Sequence, residues 1–371
     1  SPHDPSVLWM GGQYVCRLYE HGNKWERVSP DLTTADPRKL ATGGSGAEQY
    51  CTVVALCESP AKAGVLWAGT DDGKVWVTTD AGKTWSDVTA NVKGVPQGLY
   101  VSCLDASPLD AATAYLSFDG HRSDDVSPYV FVTHDQGRRW TALAAGLPKD
   151  APVQVVRAGR RNKDLVYLGT EFSLYVSLEG GKSWLPLKNG LPTVAVDDIH
   201  IQPRELDLVV GTHGRSAYVL DGAQAFEEWD ARALVDSVSF FSPRPAWAFH
   251  KRSLGGKWGT GEFSAKNPPF GAWFDYFLPR EVEGGVSVAV TDSAGTNMRT
   301  LTGPGEAGFH RVVWDLTAGD PKQRIRRTEL SGQPPLVRPG RYKVSVTAGK
   351  SAPREHALEV RALPGVYLSE M

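Results

Sequence analysis

The sequence predicts an all-β chain: β-propeller blades, about four and a half of them and part of a larger propeller, followed by an Ig-like β-sandwich. Three observations predict it. One turn pattern, ending in tryptophan, returns along the first half of the chain. Trp25, Trp85, Trp140, Trp184 and then Trp229 recur at intervals of about 40–60 residues, close to the repeat of about 40–50 residues that makes one four-stranded blade. Short apolar runs are punctuated by turn residues throughout, with 39 Gly and 25 Pro among 371 residues, the composition of many short strands rather than of helices.

The turn itself is Thr78-Thr79-Asp80-Ala81-Gly82-Lys83-Thr84-Trp85. It returns as Thr133 to Trp140, with Asp135 and Gly137, and as Ser177 to Trp184, with Glu179 and Gly181. A worn copy runs from Leu18 to Trp25 and keeps Gly22. A short carboxylate bonds backbone N–H groups inside its own turn. Glycine accepts the positive φ that closes a tight hairpin. The tryptophan then enters the next strand and buries a large apolar ring. Asp80, Asp135 and Glu179 are therefore read as turn holders rather than catalytic groups.

In chain order, residues 4–30 read as a partial blade and 31–49 as a Gly-rich loop. Residues 50–90 give the clearest blade, with strands at Val53–Leu56, Val65–Thr70 and Gly73–Thr78 before the Asp80 turn. Residues 100–145 repeat that order, with a polar insertion from Asp119 to Asp125. Residues 152–188 repeat it compactly, and 194–221 give three more strands without the carboxylate turn. Ala223 to Leu234 is expected to form a short helix that ends the array. Residues 1–234 are thus assigned to blades, 235–272 to a linker packed on them, 273–363 to the sandwich and 364–371 to a tail. The sandwich strands are expected at 274–278, 286–291, 298–302, 309–316, 342–347 and 356–360, with an exposed loop over 320–337. Incomplete blades leave sheet edges open, so a further, N-terminal propeller portion is expected in the same or a companion chain.

The net charge of −2 gives no case for nucleic acid or an anionic membrane surface. No apolar run reaches the roughly 18–20 residues of a membrane span, and no signal-peptide pattern is read. The chain opens at Ser1 without Met, as a processed chain or the later part of a longer one would. Cys16, Cys51, Cys57 and Cys103 lack metal-site spacing; three disulfide pairings or buried free thiols are both open. No cofactor or metal is expected.

Beyond the turns, ordered segments resemble a known family. Val28-Ser29-Pro30-Asp31-Leu32-Thr33, His121-Arg122-Ser123-Asp124-Asp125, Leu168-Gly169-Thr170-Glu171-Phe172 and Val209 to Ser216 are similar to bacterial BNR (Asp-box) repeat proteins of the sortilin, or VPS10-like, kind. Asn267 to Ala272 is similar to the segment joining their propeller to a C-terminal domain. Asp292 to Gly295, Arg299-Thr300-Leu301, Trp314-Asp315 and Pro339-Gly340-Arg341-Tyr342 resemble a FlgD-type Ig-like module. The resemblance implies an exported protein, secreted, periplasmic or on the cell surface. It implies more N-terminal blades than this chain carries. Such proteins are often labelled glycosyl hydrolases, and eukaryotic sortilins bind peptides within the propeller.

Candidate ligand-binding residues, by location, are Asp119, His121, Arg122, Asp124, Asp125, Glu171, His213 and Arg215. Asp119, His121, Asp124 and Asp125 together could ligate a calcium-like cation, but the spacing is not an EF-hand's; a solvated, salt-bridged loop is the plainer reading. A sialidase needs an arginine cluster, and Arg17, Arg122, Arg138, Arg139, Arg157, Arg160, Arg161 and Arg215 fall mostly in turns and polar loops. Other glycosidases need paired carboxylates about 5–10 Å apart, for which Asp119, Asp124, Asp125, Glu171, Asp197 and Asp198 are candidates. The expected function is a non-catalytic exported propeller that binds a protein, peptide or glycan. The alternative is a glycoside hydrolase with its carboxylates on the propeller face.

Overall fold

The computed structural model describes residues 1–41, 50–188, 190–230, 238–249, 267–319 and 336–363. The chain divides into two compact units, Ser1–Glu227 and Glu228–Met371.

The first unit is five antiparallel sheets in chain order. The first holds β1 (Leu8–Gly11), β2 (Val15–Tyr19) and β3 (Lys24–Arg27). A short helix, α1 (Pro37–Leu40), follows, capped by the Asp36 side chain on the Arg38 N–H. The second sheet is β4 (Val53–Glu58), β5 (Leu66–Thr70), β6 (Val75–Thr78) and β7 (Ser86–Asp87); the third is β8 (Tyr100–Ala106), β9 (Ala114–Asp119), β10 (Tyr129–Thr133) and β11 (Thr141–Ala142). The fourth is β12 (Val153–Ala158), β13 (Val166–Thr170), β14 (Leu174–Ser177) and β15 (Leu185–Pro186), and the fifth β16 (Val196–Ile201), β17 (Leu208–Thr212) and β18 (Ala217–Leu220). Helix α2 (Gln224–Glu227) closes the unit. It is shorter than the helix expected over 223–234, and residues 231–237 lie outside those described.

Each four-stranded sheet is a meander whose second strand is buried on both faces, as in β5, β9 and β13. That explains the continuous apolar runs in these strands instead of an alternating pattern. The apolar cores lie between successive sheets. Val15 and Leu32 pack with Val53 and Ala68; Trp67, Val75 and Val88 pack with Val101, Leu116 and Phe118; Val132 and Leu143 pack with Val155, Leu168 and Trp184, and these in turn with Val196 and Ile199. This is stacking of propeller blades. Matching Leu8-Trp9-Met10-Gly11 to Leu66-Trp67-Ala68-Gly69, the first sheet has, among the described residues, no counterpart of inner strand β4, and the fifth none of outer strand β7.

The second unit is a two-sheet β-sandwich. One sheet has three strands: β19 (Ser239–Phe240), β21 (Ala272–Leu278) and β24 (Gly308–Trp314). The other has five: β20 (Ala246–Ala248), β26 (Arg354–Ala362), β25 (Gly340–Ala348), β22 (Val286–Thr291) and β23 (Asn297–Gly303). Phe274, Tyr276 and Trp314 from the first face Val288, Val344 and Leu358 from the second in one core. The segment expected as linker, 235–272, contributes strands β19 and β20. Buried Ala246 and Ala248 flank exposed Trp247, an alternation masked in the sequence by the surrounding Pro and Arg. The rest of that segment, most of the loop over 320–337 and the tail lie outside the described residues.

Candidate functional site

The hairpins joining second to third strands all leave the sheets at one end. In the third sheet Asp119 pairs with Tyr100, whereas Ala114 pairs with Ala106 and with Thr133. The segment 120–128 is therefore at one end of the sheet and the Asp135 turn at the other. By the same register, Asp71–Gly73, Glu171–Ser173 and His213–Ser216 belong to the first end.

At that end the third and fourth sheets share a polar cluster. Asp119, 4% exposed, accepts the His121 N–H on Oδ1 at 3.0 Å and faces His121 Nδ1 with Oδ2. Gln154 on β12 donates its Nε2 to Asp119 Oδ2 at 3.3 Å and to Glu171 Oε2 at 3.4 Å. Two carboxylates from neighbouring sheets thus flank one amide. Phe172, next to Glu171, is 48% exposed. Alongside the second sheet lies a groove of about 830 Å³ lined by Lys39, Asp72, Lys74, Lys93, Pro96 and Phe118, among others.

The remaining candidates do not join the Gln154 bridge, although the Asp124 N–H donates to the His121 carbonyl at 3.2 Å and the Asp125 N–H to the Gly120 carbonyl at 3.1 Å. Arg122 lies over the Tyr100 ring, 4.9 Å from its centroid. Asp124 takes a left-handed conformation at φ 58°. Asp125 accepts the Ser127 N–H at 3.0 Å and the Tyr129 hydroxyl at 2.7 Å, and chiefly the latter lowers its pKa. His213 Nδ1 pairs with Asp197 at 3.3 Å on the fifth sheet, and Arg215 is exposed on that turn. Among the described residues no group of three or more His, Cys, Asp or Glu could hold a metal ion. All four cysteines are free thiols.

The turn carboxylates sit one to a sheet, at the opposite end. Asp80 Oδ1 accepts the Thr84 N–H at 2.9 Å and Oδ2 the Thr84 hydroxyl at 2.6 Å. These bonds hold its pKa down at about 2. Thr78 Oγ1 donates to Asp80 Oδ1 and accepts the Gly82 N–H at 3.1 Å. Thr133, Asp135, Gly137 and Arg139 repeat the set. In the third copy Ser177 accepts the Gly181 N–H at 2.8 Å, while the longer Glu179 accepts from the Ser183 hydroxyl. Ala81, Gln136 and Gly180 take positive φ, as do Gly82, Gly137 and Gly181 after them. The Gly22 turn differs. It ends in Trp25, which is 68% exposed; among the described residues no sheet packs over its ring.

Three features had weak or absent sequence signals. Gln154 is one polar residue between Val153 and Val155, which only a paired structure can aim. Arg157 is the second: its Nη2 donates to Asp198 at 2.8 Å, its Nε to the Ile199 carbonyl at 2.8 Å, and Asp105 lies 3.8 Å away. It clasps three sheets beside a small cavity of about 110 Å³. The third is a glycine repeated at one register place as Gly11, Gly69, Gly169 and Gly211; the first three seat a valine of the following sheet.

The sheets and their turns define the class, an array of propeller blades followed by a β-sandwich. No family model matches the chain, and no curated protein does. Among solved structures it is similar to the GH74 xyloglucanase from Xanthomonas campestris, at 20% identity and a TM-score of 0.46 over 60% of this chain and 36% of that one. It is similar to YCF48 from Cyanidioschyzon merolae, at 12% identity and 0.40 over 59% and 62%. A structure of YCF48 bound to D1 peptide gives 14% identity and 0.40 over 84% and 91%. The chain spans about a third of the length of the xyloglucanase it matches.

Proposed function

We propose that the protein is a non-catalytic, exported binding propeller, taking a protein, peptide or glycan ligand on the end of the blades that carries Asp119, His121, Gln154, Glu171 and Phe172. The observation that carries this reading is the Gln154 bridge between Asp119 and Glu171. It fixes polar groups from two neighbouring sheets beside exposed Phe172, the mix of a preorganised polar set and an apolar anchor that recognition sites use. On this reading the turns are Asp-box repeats of the sortilin-like kind, the sandwich is an accessory Ig-like module of the FlgD type, and further blades complete the array.

The same bracket favours one second reading, a glycoside hydrolase with Asp119 and Glu171 as its two carboxylates. Against it, Asp119 is buried and both its oxygens are already engaged, so it is poorly placed to reach a glycosidic oxygen. The test is binding to peptide and glycan arrays, run beside a reducing-sugar assay on the same glycans. Binding that Phe172→Ala and Glu171→Gln each weaken at least tenfold, with no sugar released, supports the binding reading. Sugar release abolished by Glu171→Gln overturns it in favour of the second.

A further inference from the structure

We propose that the open side of the fifth sheet is the docking surface for a separate β-blade, distinct from the described residues of this chain and not a second copy of them, whose inner strand seats a β-branched side chain at Gly211. The proposal deepens the propeller reading of the repeats and is independent of what the Phe172 end binds.

Contacts between successive sheets repeat one device inside the chain. A Cβ built on Gly11 would lie 2.8 Å from Val53 Cβ; on Gly69, 2.4 Å from Val101 Cγ1; on Gly169, 2.6 Å from Val196 Cγ1. Each glycine is a notch in one sheet filled by a valine from the first strand of the next. In the third sheet Ser117 stands at that place; its hydroxyl meets Ser102, which donates to the Val153 carbonyl at 2.7 Å. Gly211 has the same register, pairing with Ala217 as Gly169 pairs with Leu174. Its notch is open: the nearest atom to an added Cβ is the Asp198 carbonyl oxygen of its own sheet, at 3.7 Å.

The surrounding surface differs in the same way. Val176 pairs with Tyr167 in the fourth sheet and is 2% exposed; Val219 pairs with Val209 at the matching place in the fifth and is 54% exposed. Leu174 is buried, and its counterpart Ala217 is exposed. The surface that closes three internal interfaces is thus presented without an occupant among the described residues. Burying Val219 and filling the notch would extend an interface the chain already builds repeatedly, with the apolar burial that drives the others. A second copy does not supply the filling strand. Val53, Val101, Val153 and Val196 are engaged within their own chain, and among the described residues no strand pairs with β1 on the edge away from β2.

A photoreactive phenylalanine analogue placed at Val219 of the full chain, in its own cells, tests the proposal, with the same probe at exposed Leu185 on β15 as control. The result expected is a Val219 cross-link to a segment of alternating apolar sequence rich in Val and Ile. Gly211→Leu, which fills the notch from within, cuts its yield at least tenfold and leaves the thermal midpoint unchanged. Phe172→Ala leaves the cross-link intact, which separates this proposal from the ligand reading. A cross-link to a second copy of this chain, no adduct specific to Val219, or a yield indifferent to Gly211→Leu overturns it.

Discussion

The indole Nε1 of Trp85 donates to the main-chain carbonyl of Val28 at 2.8 Å, so the turn closing the second sheet is bonded to the end of the first. Trp184 repeats the bond to Leu143, also at 2.8 Å. Trp140 breaks the series: its Nε1 is buried without an acceptor, and its ring packs edge-on against Trp67 at 5.8 Å. Phenylalanine separates the ring from the donor. Trp85→Phe and Trp184→Phe are each expected to cost about 1 kcal/mol more than Trp140→Phe, because only they leave a carbonyl unpaired. Urea unfolding of the three variants checks the order; equal losses would contradict it.

Asp80 gives a pH signature. Its folded pKa of about 2 lies below the roughly 3.9 of an unfolded aspartate. A depressed carboxylate stabilises the fold fully above the unfolded value, and that contribution is lost as pH falls through the folded one. Asp80→Asn should therefore lower the thermal midpoint at pH 5–7, with the gap to wild type narrowing below about pH 4 and closing near pH 2. Midpoints measured across that range check it, and a gap that is constant with pH would contradict it.

The notch glycines make a paired prediction. Gly169→Ala drives a Cβ to 2.6 Å from Val196 Cγ1 and 2.7 Å from the Val196 carbonyl oxygen. Overpacking of this kind costs about 1–3 kcal/mol. Gly211→Ala meets nothing closer than 3.7 Å and should stay within about 0.5 kcal/mol of wild type in the isolated chain. Denaturant midpoints separate the two.

Arg157 ties β12 to Asp198 on β16 and lies near Asp105 on β8. Burial raises the pKa of Asp105, and Arg157 opposes that rise. Arg157→Met keeps much of the side-chain volume and removes the charge. We expect a loss of about 2–3 kcal/mol, below the 3–5 of a fully buried pair, because Asp198 still reaches solvent. The loss should shrink when Asp198→Asn is added, as a double-mutant cycle by urea unfolding would measure.

The blades were legible because they repeat the same local physics: an apolar second strand, and in the second, third and fourth sheets a hydroxyl–carboxylate–glycine–tryptophan turn. Strands β19 and β20 were not, since two or three residues among Pro, Ser and Arg carry too little periodicity and gain order only from the sheets they join. Asp119, His121 and Glu171 could be picked as polar residues in connecting segments. Their meeting could not, because it depends on Gln154, a residue whose aim is set by the pairing of β12 with β13. The exposure of Trp25 depends on what packs beside the first sheet, which a residue's own sequence does not report.

The turn carboxylates hold their own turns, and the opposite end of the blades is the proposed ligand surface. The most direct test measures thermal midpoint and affinity together, for the ligand found on the arrays, in Asp80→Ala/Asp135→Ala and in Glu171→Gln/Phe172→Ala. The prediction is a midpoint lowered by several degrees with unchanged affinity in the first, and the reverse in the second. Affinity lost in the first at an unchanged midpoint would contradict it.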